Sequence, residues 1–162
     1  MSKWRFKQIR SVLRPEIGYS SVGDKCHQLC WVINHFNRKS RKSFIPGFKM
    51  SFDEGGHATR SRFCPCRQYN KDKPNKFRVD FFILCDAHQY FISHIDVYQG
   101  KNGANIGIHP DCIHMPTTQK AVANAILCSG ISNDPNGYRE VYTDNRYSSV
   151  ELALFLREHC NF

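Results

Sequence analysis

The amino-acid sequence predicts a mixed α/β domain, a sheet with flanking helices, and three observations support that fold class. First, 41% of the 162 residues are hydrophobic and 13% are aromatic, which suffices for one core in a chain too short for two. Second, several runs rich in Phe, Ile and Val have the composition of strands. Third, other segments repeat apolar residues at helical spacing, and turn residues separate the two kinds of segment.

The start of the chain predicts a basic, largely helical lead-in over residues 1–45, followed by a domain over residues 46–162. Residues 1–23 are basic and mixed, so we expect an irregular or partly helical start. Asp24 has the character of a helix N-cap. The residues after it predict an amphipathic helix of about three turns. Its apolar face would consist of Cys26, Leu29, Cys30, Ile33 and Phe36.

A run of cations closes this predicted helix, at Arg38, Lys39, Arg41 and Lys42. Positive side chains suit the negative end of a helix dipole. The same residues could contact the phosphates of a nucleic acid or act as a nuclear-import signal. A solvated helix end is the simpler alternative for each residue.

The next segment predicts a strand that carries Asp53 and ends at Glu54, because apolar residues alternate before it. Residues 55–78 are too polar and cationic for a core and start with two glycines, so they predict a flexible loop. A cationic loop beside a carboxylate suits a site that works on phosphates. The candidate nucleic-acid contacts in this loop are Arg60, Arg62, Arg67, Tyr69, Lys71, Lys73 and Lys76.

Two strands follow, over Val79–Cys85 and Tyr90–Tyr98, and both are rich in Phe, Ile and Val. After a long loop, Thr117 or Thr118 would cap a helix that Gly130 stops.

A short strand over Glu140–Thr143 leads into Asp144. Ser148 and Glu151 match a capping box, which predicts a last helix directly after them.

The predicted order is strand, strand, strand, helix, strand, helix, which is the front portion of an RNase H-like mixed sheet. In that fold the first and fourth strands are neighbours, so Asp53 and Asp144 should converge. Hard cations prefer carboxylate oxygens, and divalent ions stabilise the charge that develops during phosphodiester cleavage. The pair therefore predicts a Mg²⁺ or Mn²⁺ site. The alternative is an ordinary strand end and a helix N-cap.

The net charge of +9 is concentrated at the start of the chain. Residues 1–50 hold 11 Lys and Arg against 2 Asp and Glu, whereas the remaining residues are nearly balanced. Such asymmetry favours a polyanionic partner, DNA or RNA, and solubility or chance is the alternative explanation.

The eight cysteines are irregularly spaced in a sequence without an export signal, so we interpret them as reduced thiols. Cys26, His27, Cys30 and His35 have spacings that allow a zinc site, but the two cysteines lie on the predicted apolar face and suit small buried positions. The Cys64-Pro65-Cys66 motif lacks two further ligands. We therefore expect no zinc. We also expect no membrane contact, because no run approaches the roughly 20 apolar residues of a span.

Several motifs in a fixed order resemble the central segment of piggyBac-type transposases. They are Asp53-Glu54, Arg67-Gln68-Tyr69, K-x-K-P-x-K-F from Lys71, F-I-L-C-D from Phe82 and V-Y-x-G-K from Val97. Residues 142–147, Y-T-D-N-R-Y, resemble the family's T-D-N-x-[FY] element. The resemblance extends from Asp24 to His159, and the combined order is far more specific than any one motif.

The resemblance implies a DDE transposase domain with an RNase H-like fold, acting on DNA in the nucleus. It also implies that Asp53 and Asp144 are two of three metal-binding aspartates. The family's third aspartate comes from a later helix, beyond a further strand, whereas this sequence ends at Phe162. We therefore expect an incomplete sheet without its final strand and later helices, and an open sheet edge that favours self-association.

The sequence departs from the family at Arg78 and Asp80, where the family tends to have Gly and Lys, and it lacks an F-x-G-R run after the acidic pair. We expect a transposable element-derived protein that is catalytically impaired and at most binds DNA through non-specific phosphate contacts. An active transposase is the alternative, if chain beyond this sequence supplies the third aspartate. A degenerate reading frame without a function is the third possibility.

Overall fold

The structure is a computed structural model that describes residues 1–12, 25–100, 108–131 and 139–160. It contains a five-stranded mixed sheet with flanking helices, which confirms the predicted fold class. The helices are α1 (Lys3–Val12), α2 (His27–Ser43), α3 (Thr117–Ser129) and α4 (Val150–Cys160), with a short 3₁₀ helix at Pro110–Cys112. The strands are β1 (Lys49–Ala58), β2 (Gln68–Tyr69), β3 (Phe77–Asp86), β4 (Ile92–Val97) and β5 (Glu140–Thr143).

The sheet is built around β1, which is antiparallel to β3 on one side and parallel to β5 on the other. Strands β2 and β4 both pair with β3 in antiparallel fashion. The strand that follows α3 therefore lies beside the first strand, as the RNase H-like order predicts. Parallel neighbours of this kind place residues that are distant in sequence at the same level of the sheet.

Strand β1 is longer than predicted, and the expected loop over residues 55–78 is wrong at both ends. The chain stays in the sheet to Ala58, pairs with β3 along its whole length, and forms the short strand β2 within the remaining loop. Gly55 lies in close packing rather than in a flexible loop: a Cβ there would lie 2.6 Å from Cδ1 of Ile83, so that side chain would have to move.

Helix α2 extends beyond its predicted end, so the cationic run lies within its last turns rather than after them. No side chain caps its start at Cys26, and the predicted cap Asp24 lies outside the described residues. The helix buries Asn37 against β4, whereas Leu29 and Phe36 of the predicted apolar face are 36% and 38% exposed. The Asn37 amide donates to the backbone oxygen of Ile95 and accepts from its backbone nitrogen, both at 2.9 Å.

The two C-terminal helices occur where predicted, but their N-caps differ from the predicted ones. Helix α3 begins at Thr117 after Pro116 with no side-chain cap, and Gly130 ends it in the left-handed conformation with φ of 77°. Helix α4 is capped by Ser149, whose Oγ accepts from the backbone nitrogen of Leu152 at 3.0 Å. The predicted capping box is therefore wrong, since Ser148 contacts Thr143 instead. Within the described ranges, no helix has the length and apolarity to cross a bilayer.

The main core lies between one face of the sheet and helices α3 and α4. Burial of these side chains is the main driving force for the fold. The fully or nearly fully buried residues include Met50, Phe52, Leu84, Val122, Ala125, Ile126, Leu152 and Leu156. Alternate side chains of β1 and β5 point into this core, so the side chains between them point to the opposite face of the sheet.

Candidate functional site

Asp53 lies in β1, and Asp144 directly follows the end of the neighbouring strand β5. The last paired positions of the parallel strands are Phe52 and Thr143, and each aspartate is the next residue in its chain. Side chains alternate along a strand, so the Asp53 carboxylate lies on the face opposite the buried Phe52 ring. Neighbouring strands are about 4.8 Å apart, which is within reach of one shared ion. Both residues are exposed to solvent.

The two strands present these aspartates differently from the prediction. Asp144 directly follows the end of β5, as expected, whereas Asp53 lies in the middle of β1. Because β5 stops at Thr143, the chain beside Asp53 on that side of β1 is the turn that starts at Asp144.

Each aspartate uses one carboxylate oxygen to order its own backbone. Asp53 Oδ1 accepts from the backbone nitrogen of Glu54 at 2.7 Å, and Asp144 Oδ1 accepts from the backbone nitrogen of Asn145 at 2.6 Å. Within the described chain, Oδ2 of each aspartate accepts no hydrogen bond. The arrangement offers oxygen ligands of the type that Mg²⁺ and Mn²⁺ prefer.

Glu54 points to the opposite face of β1 and ties this strand to the turn after β5. Its Oε1 accepts a hydrogen bond from the Tyr147 hydroxyl, and Arg146 Nη1 lies 3.2 Å from the same oxygen. The Tyr147 ring is 2% exposed and meets the Phe52 ring edge-on at 5.1 Å. Burial, together with the hydrogen bond to Glu54 and its charge, raises the pKa of the Tyr147 hydroxyl.

This link is the part of the site that the sequence-based reasoning missed. Glu54 and Tyr147 were both inside the quoted motifs, as the second residue of the acidic pair and the last residue of Y-T-D-N-R-Y. The sequence held one signal for this link, because Glu54 and Tyr147 belong to the same two motifs that contain the aspartates. The contact itself could not be predicted, since it depends on which face of the sheet each side chain occupies.

The described ranges contain no group of three or more His, Cys, Asp or Glu residues that could hold a metal ion. Asp53 and Asp144 are therefore a pair of candidate ligands rather than a complete set. Asp111 lies in the 3₁₀ helix and faces His109, with Oδ2 to Nδ1 at 3.4 Å. Glu158 is exposed on α4, and Asp134 lies outside the described residues.

The loop between β1 and β3 exposes cations and aromatic rings together. The guanidinium of Arg62 lies 5.0 Å from the centre of the Phe63 ring, and that of Arg67 lies 4.8 Å from the centre of the Phe77 ring. Tyr69 also contacts Phe77, with 5.1 Å between ring centres. The remaining candidates extend into solvent: Arg60, Lys71, Lys73 and Lys76.

The cations at the end of α2 are not equivalent. Arg41 donates a hydrogen bond to the backbone oxygen of Cys128 at 3.0 Å, so it provides a donor for a carbonyl in the last turn of α3. Arg38 contacts the ring of His35 on its own helix at 3.2 Å. Lys39 and Lys42 are exposed and are the members of this run that are best placed to meet a phosphate.

The two departures from the family pattern in β3 form an ion pair with each other. Arg78 Nε lies 2.6 Å from Asp80 Oδ1, and the two side chains are only 13% and 12% exposed. The Arg78 side chain also packs over Gly56 of β1. The charge of Asp80 is therefore balanced by Arg78 at a largely buried position.

Comparison with known proteins agrees with this architecture. The family model described as Transposase IS4 matches residues 1–161. A cryo-EM structure of a piggyBac transposase synaptic complex with hairpin DNA matches 96% of this chain at 22% identity, with a TM-score of 0.73. This chain spans 31% of the length of that transposase chain. No curated protein matches.

Proposed function

Because this chain belongs to the Transposase IS4 family, whose model matches residues 1–161, we propose that it is a DNA-binding domain of transposase type with a partial metal site. Asp53 and Asp144 would bind a divalent ion, and the loop over residues 59–76 would contact DNA phosphates. A site built from these two aspartates alone would be catalytically impaired. We place its action in the nucleus, as the resemblance to piggyBac-type transposases implies.

The observation that supports the proposal is the parallel register of β1 and β5, whose last pair, Phe52 and Thr143, directly precedes the exposed residues Asp53 and Asp144. Two exposed carboxylates at adjacent positions repel each other, and a divalent cation between them removes that repulsion. In phosphoryl transfer such an ion stabilises the charge on the attacking and departing oxygens. Glu54 and Tyr147 would hold the two strands in the position that this ion needs.

DNA binding is supported by the charge and exposure of the loop. Arg60, Arg62 and Lys73 are exposed, and none of them forms an ion pair with an acidic side chain among the residues that the structure describes. Contacts of this kind are made to phosphates and carry no base sequence information. The structural neighbour is a transposase bound to hairpin DNA, which supports DNA as the polyanion.

Impaired catalysis is proposed because the site, as the described residues form it, offers two carboxylates rather than three. Two ligands can position one ion weakly, whereas a two-metal site has ions about 4 Å apart that both need ligands. A longer chain that supplied a third carboxylate would complete the site. That arrangement is the alternative function, metal-dependent strand cleavage and transfer.

Self-association is a further part of the proposal. Strand β5 pairs only with β1 within the described residues, so its other edge offers free backbone groups. Unpaired strand edges are templates for pairing with another chain. Size-exclusion chromatography with light scattering over a concentration series would detect oligomers that form through this edge.

DNA binding is tested by the salt dependence of affinity for a duplex that carries a transposon end. Affinity should fall steeply with salt, because each phosphate contact releases condensed counterions. Replacing Arg60 and Arg62 together by Ala should lower the slope of log K against log salt by about 2. The control is the Lys120→Ala and Arg157→Ala double variant, which removes equal charge from α3 and α4 and should keep the slope. An unchanged slope in the loop variant contradicts the proposal.

Catalysis is tested on the same DNA by nicking and strand-transfer assays with Mg²⁺ or Mn²⁺. We expect no useful rate for the chain of 162 residues. Asp53→Ala is the control, because cleavage that disappears in this variant would assign the activity to the site. Cleavage of that kind would contradict the impaired function and favour the alternative.

A further inference from the structure

Two thiols of the cationic loop, Cys64 and Cys66, lie close to a third, Cys26, which is distant from them in sequence. Cys64 Sγ and Cys66 Sγ lie 3.7 Å apart, and the Cys26 side chain, just before α2, hydrogen-bonds to that of Cys66. Cys26 and Cys66 are each 2% exposed and share a small apolar cluster with Val79. Cys64 is only partly buried at the edge of this cluster. The Cys66 thiol is itself buried, but it touches the partly exposed sulfur of Cys64, which a reagent in solvent can reach.

We propose that Cys64 and Cys66 form a reversible disulfide, in which Cys64 reacts first with an external disulfide and Cys66 resolves the product. The proposal goes beyond DNA and metal binding and does not depend on either. The assignment to redox chemistry rests on the contact between the two sulfurs, which lie 3.7 Å apart.

The reaction has two exchange steps with a disulfide of the glutathione type as the oxidant. The Cys64 thiolate attacks one sulfur of the oxidant, forms a mixed disulfide and releases one glutathione thiolate, which takes up a proton. The Cys66 thiol then loses its proton and attacks the Cys64 sulfur, which releases the second glutathione thiolate. Two thiols are oxidised to one disulfide, and one glutathione disulfide is reduced to two glutathione thiols.

The geometry favours this pair because the two sulfurs already touch. A disulfide requires an S–S distance of about 2.05 Å, so the sulfurs must approach by less than 2 Å from their 3.7 Å separation. Both residues lie in loop turns rather than in strands, with hydrogen bonds from Cys64 N to Ser61 O at 3.4 Å and from Arg67 N to Cys64 O at 3.2 Å. A small rotation of side chains and turn backbone would close the bond without disturbing β1 or β3.

The surroundings favour attack at Cys64. Reactive cysteines are typically partly exposed and lie in electropositive environments. Arg60, Arg62 and Arg67 lie in the same loop and would attract an anionic oxidant such as glutathione disulfide. Burial raises the pKa of the Cys66 thiol, which suits a residue that stays protonated until the mixed disulfide has formed beside it.

A second group of thiols provides the internal contrast. Cys112 and Cys160 are 0% and 2% exposed in the main core. Burial raises the pKa of Cys112 to about 12 and that of Cys160 to about 11. Such thiols have neither access to an oxidant nor a significant thiolate population. They should stay reduced under conditions that oxidise the loop pair.

The test is thiol mapping of the folded chain after equilibration in glutathione buffers of increasing oxidised fraction. The reaction is quenched with acid, the protein is unfolded and alkylated with iodoacetamide, and trypsin releases the pair in the peptide Phe63–Arg67. We expect this peptide to lose two hydrogen atoms and both alkyl groups as the buffer becomes oxidising, and to recover them with a reductant. Cys85, which lies in a separate tryptic peptide, serves as the control and should remain alkylated.

Three results would overturn the proposal. Full alkylation of Phe63–Arg67 in oxidised glutathione would show that the pair does not react. A stable glutathione adduct on Cys64 would show that Cys66 does not resolve it. A cross-link between Phe63–Arg67 and the peptide of residues 26–38 would assign the disulfide to a different pair. In the Cys64→Ser variant, which alters a partly exposed residue, oxidation of Cys66 should be lost while circular dichroism stays unchanged.

Discussion

Replacing Asp86 by Ala should be among the most destabilising substitutions in this protein. Asp86 ends β3, is 1% exposed, and its carboxylate accepts hydrogen bonds from three backbone N–H groups. The donors are Gly47 at 2.6 Å, His88 at 2.9 Å and Gln89 at 2.6 Å. The carboxylate thus connects the turn between β3 and β4 to the residues that precede β1.

The magnitude follows from the donors that the substitution would leave unsatisfied. Each hydrogen bond to a charged group contributes roughly 1.5–3 kcal/mol, and the contributions are not additive when they share one carboxylate. We therefore expect Asp86→Ala to lower the free energy of unfolding by about 3–5 kcal/mol. This is a large part of the total stability of about 5–15 kcal/mol that is typical of such domains.

The contribution of Asp86 should also depend on pH. Burial alone would raise the pKa of the Asp86 carboxyl, but the backbone N–H donors outweigh it and the pKa is lowered. A group with a lowered folded-state pKa stabilises the fold fully above its unfolded-state pKa of about 3.9. That stability is lost as the pH falls through the folded-state value. The difference between wild type and Asp86→Ala should be constant from about pH 7 to pH 5 and shrink below about pH 4.

The assay is urea unfolding followed by circular dichroism, with Asp72→Ala as the control. Asp72 is an exposed aspartate in the loop, so its replacement should change stability by no more than about 0.5 kcal/mol. An Asp86→Ala variant within about 1 kcal/mol of wild type at pH 7 would refute the reasoning. A stability difference that does not shrink in acid would refute the assignment to the ionised carboxylate.

Two further substitutions test contacts that position the sheet. Tyr147→Phe removes the hydrogen bond to Glu54 and should lower the free energy of unfolding in urea by about 1–2 kcal/mol. The control Tyr142→Phe, at an exposed position, should lower it by less. Equal losses of stability would contradict the role of the buried hydroxyl. Asn37→Ala should cost about 2–3 kcal/mol, because it leaves two backbone groups of β4 without their partner. The exposed Asn34→Ala on the same helix is its control, and similar stabilities of the two variants would contradict the inferred contact.

The order of elements and the neighbouring positions of Asp53 and Asp144 could be predicted because both depend on chain-wide patterns. Strand composition, the glycine that stops α3 and the family motifs all indicated the same RNase H-like order. Predictions that depended on one local feature were less successful. The two glycines after Glu54 suggested a loop, but they lie in β1, where Gly55 accommodates the side chain of Ile83.

The remaining differences arise from tertiary contacts that no local pattern contains. The apolar spacing of α2 predicted its buried face, yet Asn37 is buried because it pairs with the backbone of an edge strand. The approach of Cys26 to Cys66 joins segments 40 residues apart in sequence. Glu54 and Asp53 are neighbours in sequence, but the pleat of β1 sends one towards Tyr147 and the other towards the candidate metal site.

The most direct test of the central claim, that Asp53 and Asp144 form one cation site, is a Mn²⁺ titration followed by two-dimensional amide NMR. The paramagnetic ion broadens signals of nearby nuclei, so the amides of Glu54 and Asn145 should broaden together and before the rest of the spectrum. The effect should disappear in Asp53→Asn and persist in the control Asp72→Asn. Broadening of only one of the two amides, or broadening that survives in Asp53→Asn, would contradict a shared site.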